Sequence, residues 1–123
     1  MGRRSRARAK QDTPSTPSSD YTDEHGDVLT LRGSLTVGAR REYADTLAGT
    51  NARAAATKED TEQRALELLF EQLAMRWTIS GAPIERPKEL LMRLRAATSA
   101  ERAWVREALR EHCVEHFPDV QMP

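Results

Sequence analysis

The chain has 123 residues, enough for one domain with tails, and 38% of them are hydrophobic but only 5% aromatic. There is no apolar stretch of about 18 residues, which excludes a membrane-spanning helix, and no apolar segment follows the basic N-terminus, which excludes a secretory signal. The net charge of zero hides an asymmetry: residues 1–10 carry Arg3, Arg4, Arg6, Arg8 and Lys10 and no acid, so the remainder holds 14 basic and 19 acidic residues.

Residues 1–20 lack periodic apolar positions and are rich in Ser, Thr and Pro, which predicts a disordered basic tail. At 21–32 (YTDEHGDVLTLR), His25-Gly26 marks a turn, and Leu29 and Leu31 alternate with Val28, Thr30 and Arg32. That is a short strand or hairpin, too small to stand alone, hence an edge ribbon or a strand that pairs with another chain. Thr36 can cap a helix running to Ala48, closed by Gly49.

The next helix has the clearest signal. Thr57 with Asp60, or Asp60 with Gln63, resembles a capping pair, and Leu66, Leu69, Phe70, Leu73, Ala74 and Trp77 recur at three- and four-residue steps. Thr78 to Arg86 breaks the pattern around Gly81 and Pro83, and Pro87 opens a third helix with Leu90, Leu91 and Leu94 inside. Thr98 and Glu101 make a second capping box, starting a fourth helix that runs to about His116. The predicted fold is mainly α: a four-helix domain over residues 21–117, with a short N-terminal strand or hairpin, a tail at 1–20 and a frayed end at 118–123.

His112 to His116 (HCVEH) matches the H-x-x-E-H pattern of inverted zinc proteases. A catalytic zinc needs a third protein ligand, and Asp119 is the one candidate downstream. His112 and His116 flank Cys113, but a histidine adjacent in sequence points about 100° away on a helix, so Cys113 fits a small buried thiol, and a lone cysteine suits a reducing cytoplasm. The glycines do not space as a phosphate-binding loop. No metal, cofactor or catalytic group is assigned, and the expectation is a protein without enzymatic activity.

The remaining signal is apolar surface. Trp77 and Trp104, with Phe70, Leu73, Leu91 and Leu109, serve either as core or as anchors for a partner. In the order of its features the chain resembles the tail assembly chaperones of actinobacterial phages and prophages. The residues carrying the resemblance are 27–35 (DVLTLRGSL), 67–84 (ELLFEQLAMRWTISGAPI) and 101–112 (ERAWVREALREH). The resemblance implies a non-enzymatic protein of the host cytoplasm that binds the tape-measure protein, works with other tail proteins and is absent from the finished particle. No binding residue transfers with it, and self-association is left open. Two alternatives stand beside it: a small DNA-associated protein using the arm of Arg3, Arg4, Arg6, Arg8 and Lys10, and a structural virion connector.

Overall fold

The computed structural model describes residues 17–50 and 54–123. The tail residues 1–16, including the basic arm, lie outside the described residues. In chain order the elements are β1 (Ser18–Thr22), β2 (Val28–Arg32), α1 (Val37–Ala48), α2 (Lys58–Leu73), β3 (Ala74–Ile79), β4 (Ala82–Ile84), α3 (Pro87–Arg95) and α4 (Ser99–His116). The four strands form one antiparallel sheet in the order β1-β2-β3-β4. The fold is therefore α+β, which corrects the expected four-helix domain with a single short strand or hairpin.

Local signals place the helices. Thr36 Oγ1 accepts from Ala39 N–H, and Gly49 closes α1 with φ of 78°. Reciprocal capping boxes, Thr57 with Asp60 and Thr98 with Glu101, start α2 and α4. Pro87 occupies the first turn of α3, where its missing N–H costs nothing.

The correction comes at Leu73. The helical spacing continues on paper through Trp77, but Ala74 is already extended (φ −71°, ψ 122°), and the chain passes from α2 into β3 without a loop. Two periods coincide in this stretch. Leu73, Ala74 and Trp77 suit a helix, while Met75, Trp77 and Ile79 alternate with Arg76 and Thr78 as a strand requires. Pairing decides between them. Leu29 of β2 faces Trp77, and Ser80 and Gly81, with φ of 52° and 80°, make a two-residue hairpin into β4. Positive φ at both central positions is the signature of a type I′ turn, whose twist matches the strands it joins.

β2 is thus an inner strand, paired on both sides within its own chain, and neither the edge ribbon nor the half of an intermolecular pair that its length suggested. β1 takes in Ser18 to Asp20, three residues that composition assigns to the tail. At its far end Asp23 Oδ1 accepts from His25 N–H and Asp27 N–H, and Gly26 (φ 86°) completes the reversal. The helices cover the sheet face that carries Leu29, Leu31 and Trp77, and the core joins these to Tyr43, Leu66, Leu69, Phe70, Leu73, Leu90, Leu94, Val105 and Leu109. On the other face Asp20, Thr30 and Arg76 form one cross-strand row, with Thr30 Oγ1 donating to Asp20 at 2.6 Å.

The expected frayed end is also different. Val120 and Met122 pack against the core, and Tyr43 O–H donates to the carbonyl of Gln121, so residues 118–123 return over α1 as a strap.

Trp77 is 2% exposed and lies edge-on to Phe70, with ring centroids 6.0 Å apart. Trp77→Ala should therefore destabilise the fold by about 3–5 kcal/mol. Urea denaturation followed by far-UV circular dichroism reads this loss, and a variant with an unchanged midpoint would contradict the placement of Trp77 at the core.

Candidate functional site

The six residues singled out as core or anchor divide into two groups. Phe70, Leu73, Trp77 and Leu109 are sealed inside the core, where they hold the sheet to the helices. A partner could reach them only by opening the fold. Leu91 and Trp104 are half-buried and remain accessible.

The sealed and open residues are linked by charge. The Arg93 guanidinium lies over the Trp77 ring, 5.2 Å from its centroid. The same group donates to both oxygens of Glu101, at 2.7 and 3.4 Å. Glu101 also accepts from Thr98 N–H at 2.9 Å and so caps α4. The hydrogen bonds from Arg93 and from the Thr98 backbone hold the Glu101 carboxyl below the usual carboxylate range. One arginine therefore ties β3, α3 and the start of α4 together.

Trp104 follows one turn later. It forms a wall of a cleft of about 510 Å³ between the β1–β2 turn and the start of α4, with Asp23, Glu24, His25, Thr98, Ala100 and Glu101 as the other lining residues. An indole beside carboxylates can receive an apolar or cationic side chain from a partner, the ring supplying contact area and attraction for a cation. Sequence reasoning named Trp104 but missed the cleft, because Asp23 to His25 reach it only through the fold. A second, shallower recess of about 230 Å³ lies where Leu68 and Leu91 meet Glu42, Thr46, Arg64, Glu67, Glu71 and Arg95. Met92, next to Leu91, is 67% exposed, and Val114 on α4 is 70% exposed.

The H-x-x-E-H segment is committed to structure. His112 is fully buried, and both of its ring nitrogens are engaged: Nδ1 with Tyr21 O–H at 2.8 Å and Nε2 with the Arg32 carbonyl at 2.7 Å. The His116 ring lies tilted against that of His112, with centroids 4.4 Å apart, and meets Ser19 Oγ at 3.3 Å and Glu115 Oε1 at 3.2 Å. A metal on either ring nitrogen of His112 would have to displace the hydrogen bond which that nitrogen makes. Among the described residues no group of three or more His, Cys, Asp or Glu side chains is arranged to hold a metal ion. Burial pushes the Cys113 thiol up to about 11, away from the range of an activated nucleophile. No helix among the described residues is long and apolar enough to cross a membrane.

In comparisons with known proteins, no family model, no curated protein and no solved structure matched this chain.

With its thiol pushed up to about 11, Cys113 would have about one group in a thousand ionised at pH 8. Native protein should therefore react with a thiol-exchange reagent far more slowly than protein unfolded in guanidinium. Equal rates in the two states would show that Cys113 is neither buried nor inert.

Proposed function

We propose that this chain is a non-enzymatic binding protein that acts as a phage tail assembly chaperone, holding the tape-measure protein and supporting assembly with other tail proteins. The observation that carries the binding reading is the contrast between the two tryptophans. Trp77 is sealed by Phe70 and Arg93, whereas Trp104 stands half-open in a cleft, on a helix that also leaves Val114 in solvent. Half-open aromatics in a cleft are where binding energy concentrates when a partner completes their burial. Leu91 and Met92 on α3 add apolar surface of the kind that a helical partner covers.

The two histidines and the cysteine that could have suggested chemistry are occupied in packing, which also favours binding over catalysis. The narrower identity, a chaperone for the tape-measure protein, rests on the resemblance. Its main carrying segment, residues 67–84, spans the end of α2, β3 and β4, so what supports that identity is sequence pattern and not shared architecture. Such a protein would work in the host cytoplasm, where lone Cys113 stays a thiol.

The five cations of residues 1–10 favour a second reading, a DNA-associated protein. Its mark would be binding that weakens steeply with salt and disappears when residues 1–10 are deleted.

Affinity capture from phage-producing cells, with mass spectrometry of the captured proteins, distinguishes these readings. A long helical tail protein should be the main prey. Trp104→Ala should weaken its binding by about 2 kcal/mol, or ~30-fold, while leaving the unfolding midpoint close to that of the parent. Salt-sensitive retention of nucleic acid alone would favour the arm, and recovery of the chain in purified particles would favour a structural virion component. Full binding by Trp104→Ala would remove the cleft from the site.

A further inference from the structure

β1 is an edge strand, and its inward side chains, Ser19 and Tyr21, both end on histidines of α4. The two histidines stand four residues apart, so they share one helix face and meet β1 one above the other. We propose that His112 and His116 form an acid-released latch that fastens β1 to α4.

The geometry sets the protonation state of His112. A carbonyl only accepts, so Nε2, at 2.7 Å from the Arg32 oxygen, carries the proton. Nδ1 is then the acceptor for the Tyr21 O–H at 2.8 Å. A second proton on the ring would turn Nδ1 into a donor. The half-buried phenol would have to turn its hydrogen away and accept from the ring instead, which undoes the present pairing. The ring would also carry a charge with no water around it, 4.4 Å from the His116 ring.

The surroundings do not supply enough compensation. From β1 the facing ionisable group is Tyr21, itself held above its ordinary range by burial and then by Glu115. From β2 it is Arg32, which presents its carbonyl while its guanidinium donates to the Gln72 carbonyl at 3.2 Å. Along α4 stand Cys113, Glu111, Glu115 and His116. Phe117 lies edge-on to His112 at 5.8 Å, and Arg40 of α1 covers the Phe117 ring at 5.3 Å. Burial depresses the His112 pKa below 6.5. The hydrogen bond to Arg32 and the Glu115 charge oppose this shift, and His116 adds to it.

The sign follows from that depression. With β1 detached, His112 regains water and its ordinary pKa of about 6.5, so the detached state binds the extra proton first. The latch is at full strength above this value. It weakens as the pH falls from about 6.5 toward the depressed value of the closed state, with the opening constant rising about tenfold per pH unit for one proton. Detachment frees the outer edge of β2 for pairing with another extended segment.

Amide hydrogen exchange of the full chain at pH 7.5 and pH 5.0, corrected for intrinsic exchange, tests this directly. β1 amides should lose protection at the lower pH, by up to about thirtyfold for one proton taken up at an open-state pKa of about 6.5, while α2 and β3 amides keep theirs. Tyr21→Phe, which removes the hydroxyl and keeps the ring, should move the release to higher pH. His116→Gln, at a half-buried position, removes the neighbouring ring that helps depress His112 and should move the release to lower pH. The latch is refuted by β1 protection that persists to pH 5.0, by β1 loss in step with α2, or by a release midpoint that neither variant moves.

Discussion

Trp77 stands where three parts of the molecule meet. Its ring faces Leu29 across the sheet, touches Phe70 at the end of α2 and carries the Arg93 guanidinium of α3. Arg93 hands the connection to Glu101, which caps α4. A cation on an aromatic face and a paired carboxylate are each modest interactions in isolation. Arranged in series, they fix where α3 and α4 lie relative to the sheet. Trp104 and its cleft inherit their position from that arrangement.

Much of the architecture was legible in the sequence wherever the signal is local. The capping pairs at Thr57/Asp60 and Thr98/Glu101, the Thr36 to Gly49 boundaries and Pro87 all specify helix ends within a few residues, and the helices start where these residues place them. The alternation at Leu29 and Leu31 likewise marks a real strand. The exit from α2 was not legible, because Ala74 to Ile79 satisfies both periodicities and the choice belongs to β2, far away along the chain. The Ser80-Gly81 pair carried the missing information, since a glycine that tolerates positive φ just after the alternating run Met75 to Ile79 is a hairpin signal as well as a helix stop.

The candidate site was partly legible for a related reason. Apolar spacing identifies residues that leave water but not what covers them, so Phe70, Leu73, Trp77 and Leu109 share a pattern with Leu91 and Trp104 although only the last two remain accessible. The contacts that give the molecule its polar character join distant segments: Tyr21 to His112, Arg32 to His112, and the β1–β2 turn to the Trp104 wall. Each needs the tertiary fold before it exists. The H-x-x-E-H match shows the converse: the spacing in the sequence does not reveal that both nitrogens of its first histidine have partners on β1 and β2.

The strand order has a consequence for how the chain reaches this state. β1 with β2 and β3 with β4 are neighbours along the chain and pair across short turns. The seam between β2 and β3 is different, because α1 and α2 lie between the two strands and the whole excursion must be brought back before Leu29 meets Trp77. That closure spans a longer loop than either hairpin, and its entropy is offset by the apolar faces that α1 and α2 bring onto the sheet. The bulge in the register at Thr30/Leu31 sits on the same seam, where a sliding strand can settle without shifting Leu29 away from Trp77. The two halves of the sheet are thus local in sequence, and the seam between β2 and β3 is the non-local pairing that makes them one sheet.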